Sequence, residues 1–144
     1  MNAEVKAQIE PEFDRALRLR DEGDLIGAIE IFEQLDKEHP NQSVILRMWA
    51  SIYFHLEDWK KALPLYQRTA LLSPKSELTS LGLFHSLWNV GKQDEAFAEI
   101  RRFLSISDSE EYRQLIKEMG RELDSFTMTW FNLSIHETLC KMRV

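Results

Sequence analysis

The chain has 144 residues, 44% hydrophobic and 29% charged, which is enough for one ordinary domain with a sizeable core and too apolar for wholesale disorder. Its formal net charge of −6 lies in residues 1–40, which carry 11 acids against 5 bases, while residues 41–144 balance 13 against 13. Such a chain lacks the broad basic surface that phosphate neutralisation requires, so nucleic acid is not an expected partner.

Only 5 glycines and 4 prolines punctuate the sequence, which favours helix throughout. In chain order, apolar residues at three- and four-residue steps predict helices over 9–22, 25–38, 43–56, 59–72, 77–90 and 93–106. Leu46, Trp49, Ala50, Tyr53 and Phe54 mark the face of the third, and Ala62, Leu63, Tyr66, Thr69 and Ala70 that of the fourth. Glu57-Asp58 supplies the turn between these two and an N-cap for the second. Pro64, past the first turn of its helix, removes one backbone bond and predicts a modest kink. A seventh helix over 109–123 follows, with Ser107 and Glu110 spaced as a capping box and Tyr112, Leu115, Ile116 and Met119 as its apolar stripe. Residues 124–144 change character: Phe126, Met128 and Trp130 alternate with threonines as in an extended segment, and 133–142 read as a further short helix.

These helices form a repeat. Ala28, Ala62 and Ala96 are spaced by 34 residues, as are Phe32, Tyr66 and Ile100, and as are Ile29, Leu63 and Phe97. The turns before the alanines read Gly23-Asp24, Glu57-Asp58 and Gly91-Lys92; Pro40 and Pro74 close the first two units, with Asp108 in the third proline's place. This pattern resembles the tetratricopeptide repeat (TPR), with repeats over 9–40, 41–74 and 75–108, a capping helix at 109–123 and an apolar tail at 124–144. The resemblance implies an all-α fold, a right-handed α-solenoid of three TPR helix pairs. Repeat 2 carries Trp49, Ala50, Tyr53, Ala62, Tyr66 and Pro74 on the signature positions. Repeat 1 departs from it at Arg15, and repeat 3 at Phe84, where a small residue is usual, which predicts a more open third pair.

No catalytic constellation accompanies the repeat. His39, His55, His85 and His136 have no partners at metal-ligand spacing, and neither GxxxxGK nor GxSxG occurs. The single cysteine, Cys140, rules out an internal disulfide and a cysteine-based zinc site within one chain. An enzyme is therefore not expected, nor a metal or cofactor. No stretch reaches the roughly 18 apolar residues that a membrane span needs, and MNAEVKAQIEPEF shows no secretory pattern. A soluble, cytoplasmic protein is the expectation.

Function then falls to a binding surface. In the TPR arrangement the first helix of each unit lines a concave groove. The resemblance places Phe13, Leu17 and Arg20 there from repeat 1, Arg47, Ser51, Phe54 and His55 from repeat 2, and Leu81, His85, Trp88 and Asn89 from repeat 3. Phe54 and Trp88 suit apolar anchors, and Arg20 and Arg47 suit carboxylates or backbone oxygens; both aromatics also read as inter-repeat core, and both arginines as solvated. TPR co-chaperones that grip a terminal carboxylate use lysine and asparagine at the positions held here by Phe13 and Leu17, so that clamp is absent. Three readings follow: an adaptor or chaperone holding a partner polypeptide in the groove; an immunity or antitoxin-like protein neutralising a toxin; and a self-associating protein, a homodimer joined through the apolar tail.

Overall fold

The computed structural model of the chain describes residues 2–123. Seven helices run α1 (Ala3–Asp21), α2 (Leu25–Glu38), α3 (Ser43–His55), α4 (Trp59–Leu72), α5 (Glu77–Asn89), α6 (Gln93–Ile106) and α7 (Glu110–Leu123), with no strand among the described residues. α1/α2, α3/α4 and α5/α6 are antiparallel hairpins that stack in sequence to form an α-solenoid, and α7 covers the open end of the third pair. The extended and short-helix readings of residues 124–144, and the tail-joined homodimer, lie outside the described residues.

Side-chain periodicity fixes the helix limits closely, with one exception. α1 starts at Ala3 rather than near residue 9, because Asn2 caps it: its Oδ1 accepts the Val5 amide at 2.8 Å. Pro11 then falls inside the helix, where the bond it removes leaves the exposed carbonyl of Ala7 to water. α4 likewise continues through the exposed Pro64 from Trp59 to Leu72.

The three hairpin turns share one geometry. Gly23, Glu57 and Gly91, at equivalent repeat positions, all adopt positive φ, at 91°, 55° and 87°. Each closes a Schellman-type end, in which Asp24, Asp58 and Lys92 donate their amides back to Leu19, Tyr53 and Leu87 at 2.8–2.9 Å. Asp24 and Asp58 then cap α2 and α4, accepting from Gly27 at 2.9 Å and Lys61 at 3.3 Å; Lys92 has no such side-chain bond. The capping box expected at Ser107 and Glu110 is not formed. Ser107 ends α6 in an extended conformation, and Ser109 caps α7 instead, its Oγ accepting the Tyr112 amide at 3.1 Å. Burial of Ser109 holds it there, and Asp108 fixes the approach by accepting the Ser109 amide and pairing with Arg113 at 2.8 Å.

Packing follows the repeat. Ala28, Ala62 and Ala96 are all wholly inaccessible, so the paired helices close onto methyl groups. Apolar side chains gather into two clusters, one of repeat 1 with the near face of α3, and one running from α3 through α7. Trp49 packs against both. One close approach lies between repeats: a Cβ built on buried Gly82 would run into the Tyr66 ring, so α5 rests on α4 through a glycine.

Equivalent turns with unequal residues give a direct test. Glu57 bears the left-handed strain that glycine avoids, so Glu57→Gly is expected to raise stability by up to about 1 kcal/mol, and Gly91→Ala to lower it by about 1–2 kcal/mol, in urea denaturation.

Candidate partner-binding groove

Residues on one face of α1, α3 and α5 are brought to a common surface by the stacking of the three hairpins. None of the eleven groove residues named from the sequence is buried: nine are half-exposed, and His55 and Asn89 are fully exposed. Their chemistry nevertheless divides.

Repeat 1 contributes least. Phe13 turns its ring onto Phe32 of α2, edge-to-face at 5.8 Å, and Leu17 packs against the same cluster. Arg20 is already occupied, its Nε and Nη2 meeting Asp21 Oδ1 at 3.0 and 2.9 Å and its Nη1 lying 3.8 Å from Met48 Sδ. It is a bridge between repeats rather than a cation awaiting a ligand.

Repeats 2 and 3 build a continuous aromatic cluster in which Tyr66 and Phe84 are buried and Phe54, His85 and Trp88 are half-exposed. Phe54 stands at its centre, with ring contacts to Trp59 at 5.1 Å, to Tyr66 at 6.3 Å and, across the repeat boundary, to His85 at 5.7 Å. His85 meets Phe84, which stacks on Trp88, whose ring meets Phe97 at 5.6 Å. Offset and edge-on contacts of this kind hold rings in place while leaving a face available. Leu81 adds an aliphatic shoulder to the same cluster. Polar members are fixed by their own helices: Ser51 Oγ donates to the Met48 carbonyl, His55 Nδ1–H to the Ser51 carbonyl (both 2.7 Å), and Asn89 Nδ2 to the His85 carbonyl at 2.8 Å.

Arg47 differs from Arg20. It has no hydrogen-bond or ion-pair partner among the described residues, although its charge is felt by Tyr66. Burial pushes the Tyr66 hydroxyl up to about 12, and Arg47 opposes that shift. The groove therefore carries one committed and one uncommitted guanidinium. His85, desolvated among the rings, has its pKa lowered from the ordinary histidine value of 6.5 and is the neutral base of the surface at pH 7.

Away from the groove, sequence reasoning missed a buried polar chain that joins repeat 3 to its cap. Tyr112 on α7 and Ser80 on α5 lie 2.7 Å apart through their hydroxyls, and Ser80 donates to Glu99 Oε1 on α6 at 2.8 Å. Arg102 donates Nε to Glu99 Oε2 at 2.8 Å and Nη1 to the Pro74 carbonyl at 2.9 Å. Burial holds the Tyr112 phenol protonated, so the proton order runs from Tyr112 to Ser80 to Glu99. The signal was present in the repeat: Ser80 and Glu99 stand 34 residues after Leu46 and Leu65, both core positions. No cluster of three or more histidine, cysteine or acidic residues that could hold a metal occurs among the described residues, and none of their helices is long and apolar enough to cross a membrane.

With this geometry the chain can be set beside known proteins. No family model matches. Anaphase-promoting complex subunit 3 of Schizosaccharomyces pombe is 28% identical over 107 residues, 69% of this chain; the match spans only 16% of that protein's length. Among solved structures, the first TPR of Spaghetti (RPAP3), bound to the HSP90 peptide SRMEEVD, has a TM-score of 0.69 at 16% identity, covering 83% of this chain and 95% of that one. The Yersinia enterocolitica type III secretion translocator chaperone SycD, in an alternative dimer, has a TM-score of 0.63 at 16% identity, covering 86% and 95%. The three stacked hairpins have the tetratricopeptide-repeat fold.

Two outcomes test the geometry. His85 resists protonation in the folded state, so the unfolded chain takes up its proton first. The His85 contribution to stability is full above about pH 6.5 and falls as pH drops through the window below it; His85→Gln flattens that part of the profile, as urea midpoints against pH will show. Ser80→Ala strands both the Tyr112 hydroxyl and one Glu99 contact, and is expected to cost about 1–3 kcal/mol, measured by the same denaturation.

Proposed function

We propose that the chain is a protein-interaction module, an adaptor or chaperone that holds a segment of a partner polypeptide against the concave face of α3 and α5, with α1 as a lesser wall. The observation that carries this reading is the ring surface of Phe54, His85 and Trp88, half-exposed yet fixed by neighbouring rings, with the unpaired Arg47 on the same side. Aromatic anchors flanked by an arginine are the residue types in which binding energy concentrates, because they bury large area with little entropy lost.

The repeats over 9–40, 41–74 and 75–108 act as its units, and the third is tied to α7 through Tyr112 and Ser80. Likeness to a TPR domain bound to an HSP90 peptide, and to a translocator chaperone over most of both chains, supports this reading. The carboxylate grip is a separate matter, since Phe13 and Leu17 stand where that grip needs lysine and asparagine. We place the protein in the cytoplasm, in keeping with its single cysteine.

Affinity capture with the full chain as bait supplies the partner, and calorimetry then tests the surface. Phe54→Ala and Trp88→Ala are each expected to weaken binding by about 30-fold or more, the effect of losing a hot-spot side chain. Arg20→Gln, which removes an internally paired guanidinium, should change it far less. A partner that binds the Phe54→Ala, Trp88→Ala double variant as tightly as the parent would move the interface off this face.

A further inference from the structure

At the edge of the groove, the N-terminal turns of α3 and α5 and the end of α4 enclose a cavity of about 230 Å³. Its lining is polar and unusual in composition. Ser43 and Arg47 come from α3, Ser73 from the end of α4, and Ser76 and Thr79 from the start of α5, with no carboxylate among the lining residues. Five hydroxyl side chains, Thr69 of α4 being the fifth, and one guanidinium therefore line a space with no carboxylate beside it. Arg47 has neither hydrogen-bond nor ion-pair partner among the described residues.

Thr79 supplies the independent observation. The residue is 1% exposed, and its Oγ1 is a buried polar atom with no hydrogen-bond partner. Buried hydroxyls are nearly always satisfied, so an orphan lining a polar cavity points to a ligand that would complete it. Thr69, on the cavity's other side, shows the contrast, its hydroxyl donating to the Leu65 carbonyl at 2.7 Å. Two helix starts add to the field: α3 has no side-chain cap from Gln42, so its first amides stay available, and both helices present their positive ends here.

We propose that this cavity is a binding site for a tetrahedral oxyanion, a phosphoryl group presented by the partner segment. Arg47 supplies the charge, hydroxyls from three helices supply donors from several directions, and Thr79 closes the site from the buried side. A planar carboxylate has two oxygens and one plane, and would leave donors on the third helix unused. The inference rests on the groove reading only for what carries the phosphoryl group, because Arg47 borders both sites.

The pocket is tested on the full chain without any partner. Inorganic phosphate is titrated into ¹⁵N-labelled protein, and saturable amide shifts are expected at residues 43–47 and 76–79. Arg47→Gln should weaken that binding by about tenfold or more, the worth of a charge-assisted hydrogen bond, while Arg20→Gln leaves it unchanged. Thr79→Val should weaken phosphate binding yet raise the melting temperature without phosphate, since it removes an unsatisfied buried hydroxyl. N-acetyl-phosphoserine amide binding more tightly than inorganic phosphate supports a partner-borne group; the reverse order overturns that part and leaves a site for the free anion. Shifts that stay linear with concentration, that spread over other basic residues, or that are stronger with acetate than with phosphate overturn the oxyanion site itself. Loss of the groove reading would appear separately, in the Phe54 and Trp88 variants.

Discussion

A lone helical hairpin cannot bury its apolar face, and two helices cannot come close with a large side chain between their axes. Those two constraints generate the rest of this structure. Alanine at 28, 62 and 96, wholly inaccessible, lets each pair close; Phe32 and Tyr66, four residues further along their helices, are then covered by the next hairpin, and Ile100 of the last pair lies in the cluster that α7 completes. Stacking is thus the means by which each unit is stabilised. The first helices keep one half-exposed face, and that face is the candidate groove.

Where the repeat is imperfect, the chain compensates with specific polar links. Repeat 1 is joined to repeat 2 by the fork of Arg68 on Asp36, two bonds of 2.9 Å that leave Asp36 largely buried, and by Arg20 reaching Met48. Trp49 lies across both apolar clusters and couples them mechanically. Repeat 3, which has no fourth hairpin to cover it, is closed by α7 through Tyr112, whose ring contacts Phe84 and Phe103 and whose hydroxyl enters the Ser80–Glu99–Arg102 chain. A buried polar network of this kind is costly unless every member is satisfied, and here it fixes the one orientation of α7 that satisfies it.

Much of this architecture was legible in the residues because periodicity at 3.6 and at 34 residues is imposed by burial, and burial is what side-chain polarity reports. Helix limits followed, apart from α1, where Asn2 rather than Pro11 determines the start. Caps were less legible, since Ser107 and Ser109 both satisfy a local rule and only the burial of Ser109 chooses between them. That the eleven residues named from repeat position keep accessible surface could be read from the repeat. Their pairing could not: that Arg20 is spent on Asp21 while Arg47 is free depends on rotamers and neighbours in three dimensions. The Ser80–Glu99 link was readable in principle, as polar residues in the phase of Leu46 and Leu65, but single polar residues in core phase do not announce their partners.

Charge is reinterpreted in the same way. The net −6 of residues 1–40 suggests an acidic end of the molecule, yet several of those acids have partners within the fold. Asp24 caps α2, Asp21 holds Arg20, and Asp36 holds Arg68. Glu12 pairs with Arg15 and Glu33 with Lys37 at exposed positions where such contacts are worth little. Formal charge therefore describes repeat 1 rather than the face shared by α3 and α5. On the α3 and α5 face Arg47 keeps a charge with no internal counterpart among the described residues, and such fields decay over about 8–10 Å in salt. A partner that approached by long-range attraction would be steered by the acidic end; one that is held would be held by the rings and by Arg47.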